Sequence, residues 1–477
     1  MQSFNLRLRK TKTAEWPPVS VQHNGRLYNL ADVFRDAGID LRLTADPEPI
    51  GDHPRGLSFD LVDLHGLLPK RHSLVASDEW QATALVVPSI AYLSGQRVRR
   101  PHGVMFDVGA ADGSHRAREG CALAWQSIGG HPAIYLRTLA HEVGHLLNLR
   151  HPEEDTPPVY NGSTLMFETR SLARSRTYPN NIQFEFSDAN VDWLRTAPVN
   201  YVRPGGEPYG SRPGRNAKAT TPPTDSAFVE SASTRSTDPL ELSLHLAASH
   251  TLPWHPIEFE VCLSATGTLC QQFAIDLDPA GGELSIDEMI ADLWWQTVPA
   301  VVRDCGNPRE NLSSSGQLKQ LVMLPGACLR GMEGRTFRAR YRCRLADGQH
   351  FDICSPPIIV EAARPRCKAE RLASEACTSF DVRLAVCWGG FSARLDCARQ
   401  RLEAVNQQIN LASVAPRLAL ALAHSRVQAA RSADDVRELR GLMRQIRRVR
   451  APNHYQLEAE FIDHCCFNGS NDQTTVR

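Results

Sequence analysis

Lysine is scarce in this chain: only Lys10, Lys12, Lys70, Lys218, Lys319 and Lys368 stand among 53 basic residues, and arginine makes up the rest. With alanine and proline abundant, that bias points to a GC-rich, bacterial coding sequence. Net charge is also missing, because Asp plus Glu likewise total 53. No positive excess is available to displace counterions from nucleic acid or to meet anionic headgroups. No run approaches the roughly 18 consecutive apolar residues that span a bilayer. The opening MQSFNLRLRKTKTAEW is basic with no apolar stretch behind it, so no Sec-type leader is visible. The expectation is a cytoplasmic protein or one exported without a cleaved leader. A phosphate-cradling glycine loop, a GxSxG elbow and a CxxC pair are all absent, which removes the motifs of a P-loop enzyme, an α/β-hydrolase and a thioredoxin-like site.

What is present is enough material for several cores. At 477 residues, with 42% hydrophobic and 22% charged, the chain is too long for one core and has ordinary globular composition. Cysteine is distributed unevenly: of 13, only Cys121 precedes Cys262. Cys367, Cys377, Cys387 and Cys397 recur every ten residues, and Cys465 and Cys466 are adjacent. Two readings stay open, disulfide staples or buried free thiols acting as small hydrophobes.

The pattern along the chain predicts a multidomain protein. Residues 1–201 read as one α/β (α+β) domain. LYNLADVFRDAGI places Leu27, Leu30, Val33 and Phe34 at helical spacing with Gly38 at a left-handed cap. Strand signals follow at 41–44, 83–93, 103–109 and 117–126, and from Pro132 the pattern turns helical, with an apolar stripe from Ile134 to Leu147. Residues 202–238 are rich in Pro, Gly, Ser and Thr and read as a linker. Alternating segments over 239–363 predict a β-sandwich-like accessory domain, and 364–477 reads as a mainly helical, cysteine-bearing region in which Ser432 and Asp435 have capping-box spacing.

The chemistry concentrates in HEVGHLLNLRH, residues 141–151. On a helix, His141 and His145 are one turn apart and project from one face, as two ligands of a single tetrahedral zinc require. Glu142 lies beside them as a candidate proton acceptor. A straight helix would carry His151 about 240° round from His145 and away from the metal. It joins the site only if the chain turns sharply, and Asn148, among the best non-glycine residues at positive φ, is the candidate pivot.

These residues resemble the metzincin zinc peptidases, whose motif is HExxHxxGxxH followed by a methionine turn. Every ligand position matches, with Asn148 where that motif has glycine. Met166, in STLMF, is the counterpart of the family's methionine, against the alternative of an ordinary core methionine. Pro152 is shared with bacterial serralysin-like members, whereas Glu168 stands where serralysins place a tyrosine. The resemblance implies an N-terminal metzincin-like catalytic domain using Zn2+ held by His141, His145 and His151, with Glu142 as general base on a metal-activated water. It also implies an edge strand before the zinc helix that holds substrate by strand addition. By order and character that strand is 117–126, with Gly120, Cys121, Ala122 and Leu123 in the cleft; an interior strand is the alternative. Cys121 is either a latency thiol or a packed core residue.

The function expected is therefore a zinc-dependent endopeptidase acting on a peptide or protein substrate, its accessory domains selecting the partner. The rival is a non-catalytic zinc-containing interaction protein whose function lies in the C-terminal domains. Glu142 separates them, because a purely structural zinc site needs no such carboxylate.

Overall fold

The computed structural model describes residues 2–53, 58–69, 80–94, 97–108, 116–152, 162–173, 175–213, 240–247, 251–265, 273–290, 294–304, 310–312, 316–344, 350–390, 395–429 and 433–448. Among them, no helix is long and apolar enough to cross a membrane. The chain is a multidomain α/β protein with several sheets.

The first half supplies β1 (Gln2–Lys10), the hairpin β2 (Ser20–His23) and β3 (Arg26–Asn29), α1 (Leu30–Asp36), β4 (Ile39–Ala45), α2 (Leu61–Leu67) and β5 (Trp80–Val87). A second hairpin, β6 (Tyr92–Ser94) and β7 (Arg97–Arg99), leads to β8 (Gly103–Phe106), β9 (Gly120–Ala124) and the long helix α3 (Pro132–Leu146). Short helices α4 (Thr169–Ala173), α5 (Asp188–Thr196) and α6 (Val199–Val202) complete it. Helix α1 starts one turn later than its spacing predicts: Asn29 caps it by accepting from the Ala31 amide, and Leu27 falls in β3, 68% exposed. Gly38 takes φ 92° just past the helix end, where a left-handed residue is required.

Strands β4, β1, β5 and β9 lie parallel in that order, and β8 continues the sheet antiparallel to β9. Strand β1 lies inside the sheet, between β5 and the edge strand β4. Its Phe4, Leu6 and Leu8 are buried under α1 and α3 while the intervening Asn5, Arg7 and Arg9 look the other way.

Downstream come β10 (Leu240–Leu246), β11 (Pro256–Ala265), β12 (Phe273–Ile275), β13 (Leu284–Ile290), β14 (Trp294–Thr297), β15 (Val302–Asp304), β16 (Glu310–Leu312), β17 (Gln317–Cys328), β18 (Arg335–Arg344), β19 (His350–Cys354) and β20 (Ile358–Val360). The β10-β11-β17 sheet and the β14-β13-β18-β19 sheet, both antiparallel, share a core that includes Leu242, Phe259, Val261, Ile286, Phe337 and Tyr341. Helices α7 (Lys368–Ala376), α8 (Phe380–Trp388), α9 (Asp396–Gln408), α10 (Leu411–Val414), α11 (Pro416–Ala429) and α12 (Ala433–Arg448) follow. The Ser432 capping position lies outside the described residues.

Two contacts tie these regions to the first sheet. Helices α7 to α12 pack on its rear: Leu85, Val87, Val104, Phe106, Ala122 and Ala124 bury into one core with Val382, Leu384, Leu418 and Leu422. Parallel strands buried on both faces need such double cover. Strand β15 pairs antiparallel with β8, so the sheet order is β15-β8-β9-β5-β1-β4.

The disulfide reading fails for the eight cysteines whose side chains are described. Cys121, Cys262, Cys328, Cys354, Cys367, Cys377, Cys387 and Cys397 are free thiols. The ten-residue spacing distributes its members over the ends of successive helices rather than facing them: Cys367 and Cys397 are exposed, while Cys377 is buried and Cys387 partly so. Burial pushes the Cys377 and Cys387 thiols well up, as expected of inert core cysteines. Cys465 and Cys466 lie outside the described residues.

Candidate metal centre

Helix α3 positions two of the three histidines. Pro132 opens it, and it is buried on nearly every side because the sheet lies beneath one face and the 165–186 segment covers another. Its end is a Schellman turn: the Asn148 amide donates to His145 O at 2.9 Å and the Leu149 amide to Gly144 O at 3.0 Å. Asn148 occupies the left-handed position, with φ 60°. The bend folds the chain back so that His151 faces the helix it has just left.

The three imidazoles then converge. His151 Nε2 lies 3.1 Å from His141 Nε2 and 3.0 Å from His145 Nε2. The far nitrogens are already committed: His141 Nδ1–H donates to Leu165 O at 2.7 Å and His145 Nδ1–H to Leu149 O at 2.9 Å. A carbonyl can only accept, so each ring carries its proton on Nδ1 and turns the Nε2 lone pair inward. Two Nε2 lone pairs thus point at the His151 Nε2, a convergence that a cation would satisfy. Ligand atoms of all three fall within 4.8 Å of one another, so the group could hold a metal ion. Burial drives the His141 pKa well below its ordinary value, helped by the charges of Arg137, His145 and His151, which keeps the ring in the neutral form a metal needs.

Two buried acids flank the cluster and fit a cation in the same way. Glu142 is fully buried. A Cβ placed on Gly103 of β8 would come within 2.5 Å of its Oε1, so only glycine lets that strand pass so close. Glu168 is 5% exposed, with Oε1 3.6 Å from His151 Nδ1. Met166 is fully buried beneath the helix, its thioether filling the space that a side chain at Gly144 would need.

Asn148 does more than turn the chain. Its Oδ1 accepts from the Gly210 amide at 2.7 Å, and its Nδ2 donates to Tyr201 O at 2.9 Å and Ser211 O at 3.2 Å. The Pro/Gly-rich stretch after residue 201 therefore begins as a cover over the site, with the Tyr209 ring edge-on to His145 at 5.4 Å between centroids. Glycine at 148 would relax the backbone but lose these bonds. We expect Asn148→Gly to destabilise the protein by about 2 kcal/mol, because two part-buried carbonyls lose their donor and the Gly210 amide its acceptor. Chemical denaturation measures it, and a stabilised variant would show that φ strain outweighs the latch.

Gly120, Cys121, Ala122 and Leu123 do not form a substrate edge, contrary to the expectation for 117–126. Strand β9 is interior: Gly120–Ala124 pairs with Thr83–Val87 on one side and Gly120–Leu123 with Gly103–Phe106 on the other. All four residues are buried, and burial beside Glu142 raises the Cys121 thiol pKa well above its usual value, so Cys121 is a packed core residue. The antiparallel strand next to the helix is β8.

Two arginines escaped the sequence reading. Arg137, one turn before His141, donates to Thr169 Oγ1 at 2.5 Å, to Leu165 O at 3.3 Å and to Phe167 O, fastening the Met166 segment to the helix. Its place on the histidine face was the available signal. Arg118 is fully buried and donates to Leu146 O (2.7 Å), Val202 O (2.9 Å), Arg203 O (2.8 Å) and Glu207 O (2.9 Å). Burial lowers its pKa to about 10, which leaves it cationic at neutral pH.

No family model and no curated protein matches this chain. Solved structures to which it is similar include wild type OgpA from Akkermansia muciniphila, at 10% identity over 76% of this chain and 94% of that one, with a TM-score of 0.18. A second is catalytic inactive OgpA from the same organism in complex with an O-glycopeptide (glycodrosocin) substrate, at 11% identity over the same shares, with a TM-score of 0.19. Likeness at that score carries no argument about this chain, whose reading rests on its own geometry.

Proposed function

We propose that the chain is a zinc-dependent endopeptidase with a metzincin-type catalytic domain in residues 1–201. In this reading 202–238 connects that domain to the β-rich 239–363 and helical 364–477 regions, which select the protein partner. The convergence of three Nε2 atoms on one point, with Glu142 on the same helix, carries it. A set of three histidine ligands suits catalytic zinc, which keeps its fourth position for water. A zinc ion held by His141, His145 and His151 would supply Lewis acidity toward a carbonyl and toward water.

The chain's own residues do the rest. Leu165 O and Leu149 O fix the imidazole tautomers. Glu142 takes the proton from the water that attacks the scissile carbonyl and passes it to the departing amine, so no net proton is consumed. The dry surroundings strengthen each of these electrostatic contacts. Complete enclosure of the cluster favours the rival reading of a structural zinc site, but such a site leaves the buried Glu142 carboxylate without a purpose.

Metal analysis joined to a peptide-library digest tests the proposal. One zinc per chain is expected in the wild type and a large loss in His151→Ala; cleavage should stop on chelation and return with zinc. Stoichiometric zinc in a protein that cuts nothing its chelated form leaves intact would overturn the peptidase reading.

A further inference from the structure

Strand β8 opens against the Glu142 carboxylate, since a Cβ on Gly103 would come within 2.5 Å of its Oε1, and its outer edge runs on from there. An unpaired edge there would bind an extended peptide by strand addition. It is not free. Val302, Arg303 and Asp304 pair with Phe106, Met105 and Val104, and the Asp107 amide donates to Val301 O at 2.9 Å.

The occupant comes from almost 200 residues downstream and is anchored from its own side. Arg99, shortly before β8, makes a buried bidentate pair with Asp276 at 2.6 and 2.9 Å and approaches Asp278 at 3.3 Å. The 3-10 turn Pro279–Gly281 that Asp278 caps lies beside β15. Val301 and Val302 are buried in the core behind the sheet. Meanwhile His141, Glu142, His145 and His151 are each 1% exposed or less, so nothing reaches them without a displacement.

The strand is also poorly suited to stay. Its ladder is three residues long, and Val301, a β-branched residue, is held at φ 59°, where such residues are strained. We infer that residues 301–304 are a built-in competitor of substrate: β15 occupies the backbone ledge on β8 that an extended peptide must take, and the protein works only when β15 leaves. The inference rests on the peptidase reading and explains why a site with a catalytic carboxylate is closed.

The test uses the full chain. The Val301–Asp107 hydrogen bond sets the antiparallel alternation, which aims the Arg303 amide at Met105, so Arg303→Pro removes a ladder donor. Initial rates on a fluorescence-quenched peptide library should rise on the order of tenfold at unchanged zinc content, mostly through a lower KM, because the competent fraction grows. The heptapeptide VPAVVRD, residues 298–304, should slow this variant more than the wild type. If wild type and variant cleave at equal rates, or the variant is slower, the inference fails and the peptidase reading stands. If neither cleaves with zinc bound, both fail.

Should Arg303→Pro not fold, hydrogen exchange on full-length Glu142→Gln decides. Library peptide must strip protection from the Arg303 amide, the one of 302–304 that faces β8, while the Met105 amide keeps its own, and unchanged protection at Arg303 overturns the inference.

Discussion

Glu142→Gln is expected to abolish peptide hydrolysis while leaving the protein otherwise as it is. The amide has the shape of the carboxylate, so the fit against Gly103 survives, and Glu142 is not among the converging histidine ligands. Zinc content and melting temperature should therefore match the wild type. What the amide cannot do is accept a proton, and positioned general bases contribute about 10²–10⁴-fold. A loss of that size in kcat at constant zinc stoichiometry, measured on any peptide the wild type cuts, supports the assigned role. Retention of activity within a few-fold would remove Glu142 from the chemistry and leave the metal cluster to a structural purpose.

The largest stability effect should come from a residue that touches no histidine. Arg118→Met keeps the volume and deletes the donors to Leu146, Val202, Arg203 and Glu207 carbonyls. Leu146 is the last residue of α3, so the orphaned groups include the C-terminal end of the helix that carries His141 and His145. Each buried acceptor left without a partner costs about 1–3 kcal/mol, and together they amount to roughly 4 kcal/mol or more. That is a large part of the 5–15 kcal/mol typical of a folded domain. Denaturant unfolding with zinc present should show a much earlier transition, and lower zinc occupancy should accompany it as the helix end loosens. A variant that unfolds at the wild-type midpoint would mean that water replaces the guanidinium.

The site was legible in the sequence where local rules set it. Two histidines one turn apart define a helix face, and a third beyond an asparagine defines a left-handed turn, because few residues tolerate positive φ. Asn148 takes that conformation. Its second task, holding 201–211, depends on a segment far along the chain that no spacing rule reaches.

Strand β1 alternates Phe4, Leu6 and Leu8 with Asn5, Arg7 and Arg9, yet its place between β5 and β4 follows only from the pairing itself. The substrate edge was misplaced for a related reason. Whether a strand is an edge is a property of its neighbours, and residues 117–126 have the composition of a buried strand on either account. Arg118 and Arg137 were invisible because a buried arginine reads as a surface one until its acceptors are known.

The rear cover of the sheet bears on when the protein can become itself during synthesis. A ribosome that has released residues up to about 250 has delivered every histidine of the cluster and all of β1 to β9, but only α2 and its flanks, with Phe59, Leu61, Leu64 and Leu68, to lay over Leu85, Val87, Val104 and Phe106. The rest of their partners lie on α8 and α11, more than 200 residues later. The nascent first half thus carries a partly uncovered apolar face through a long stretch of translation, the kind of surface that chaperones retain. Completion of the centre is tied to the last helices made, and β15 reaches β8 before they do.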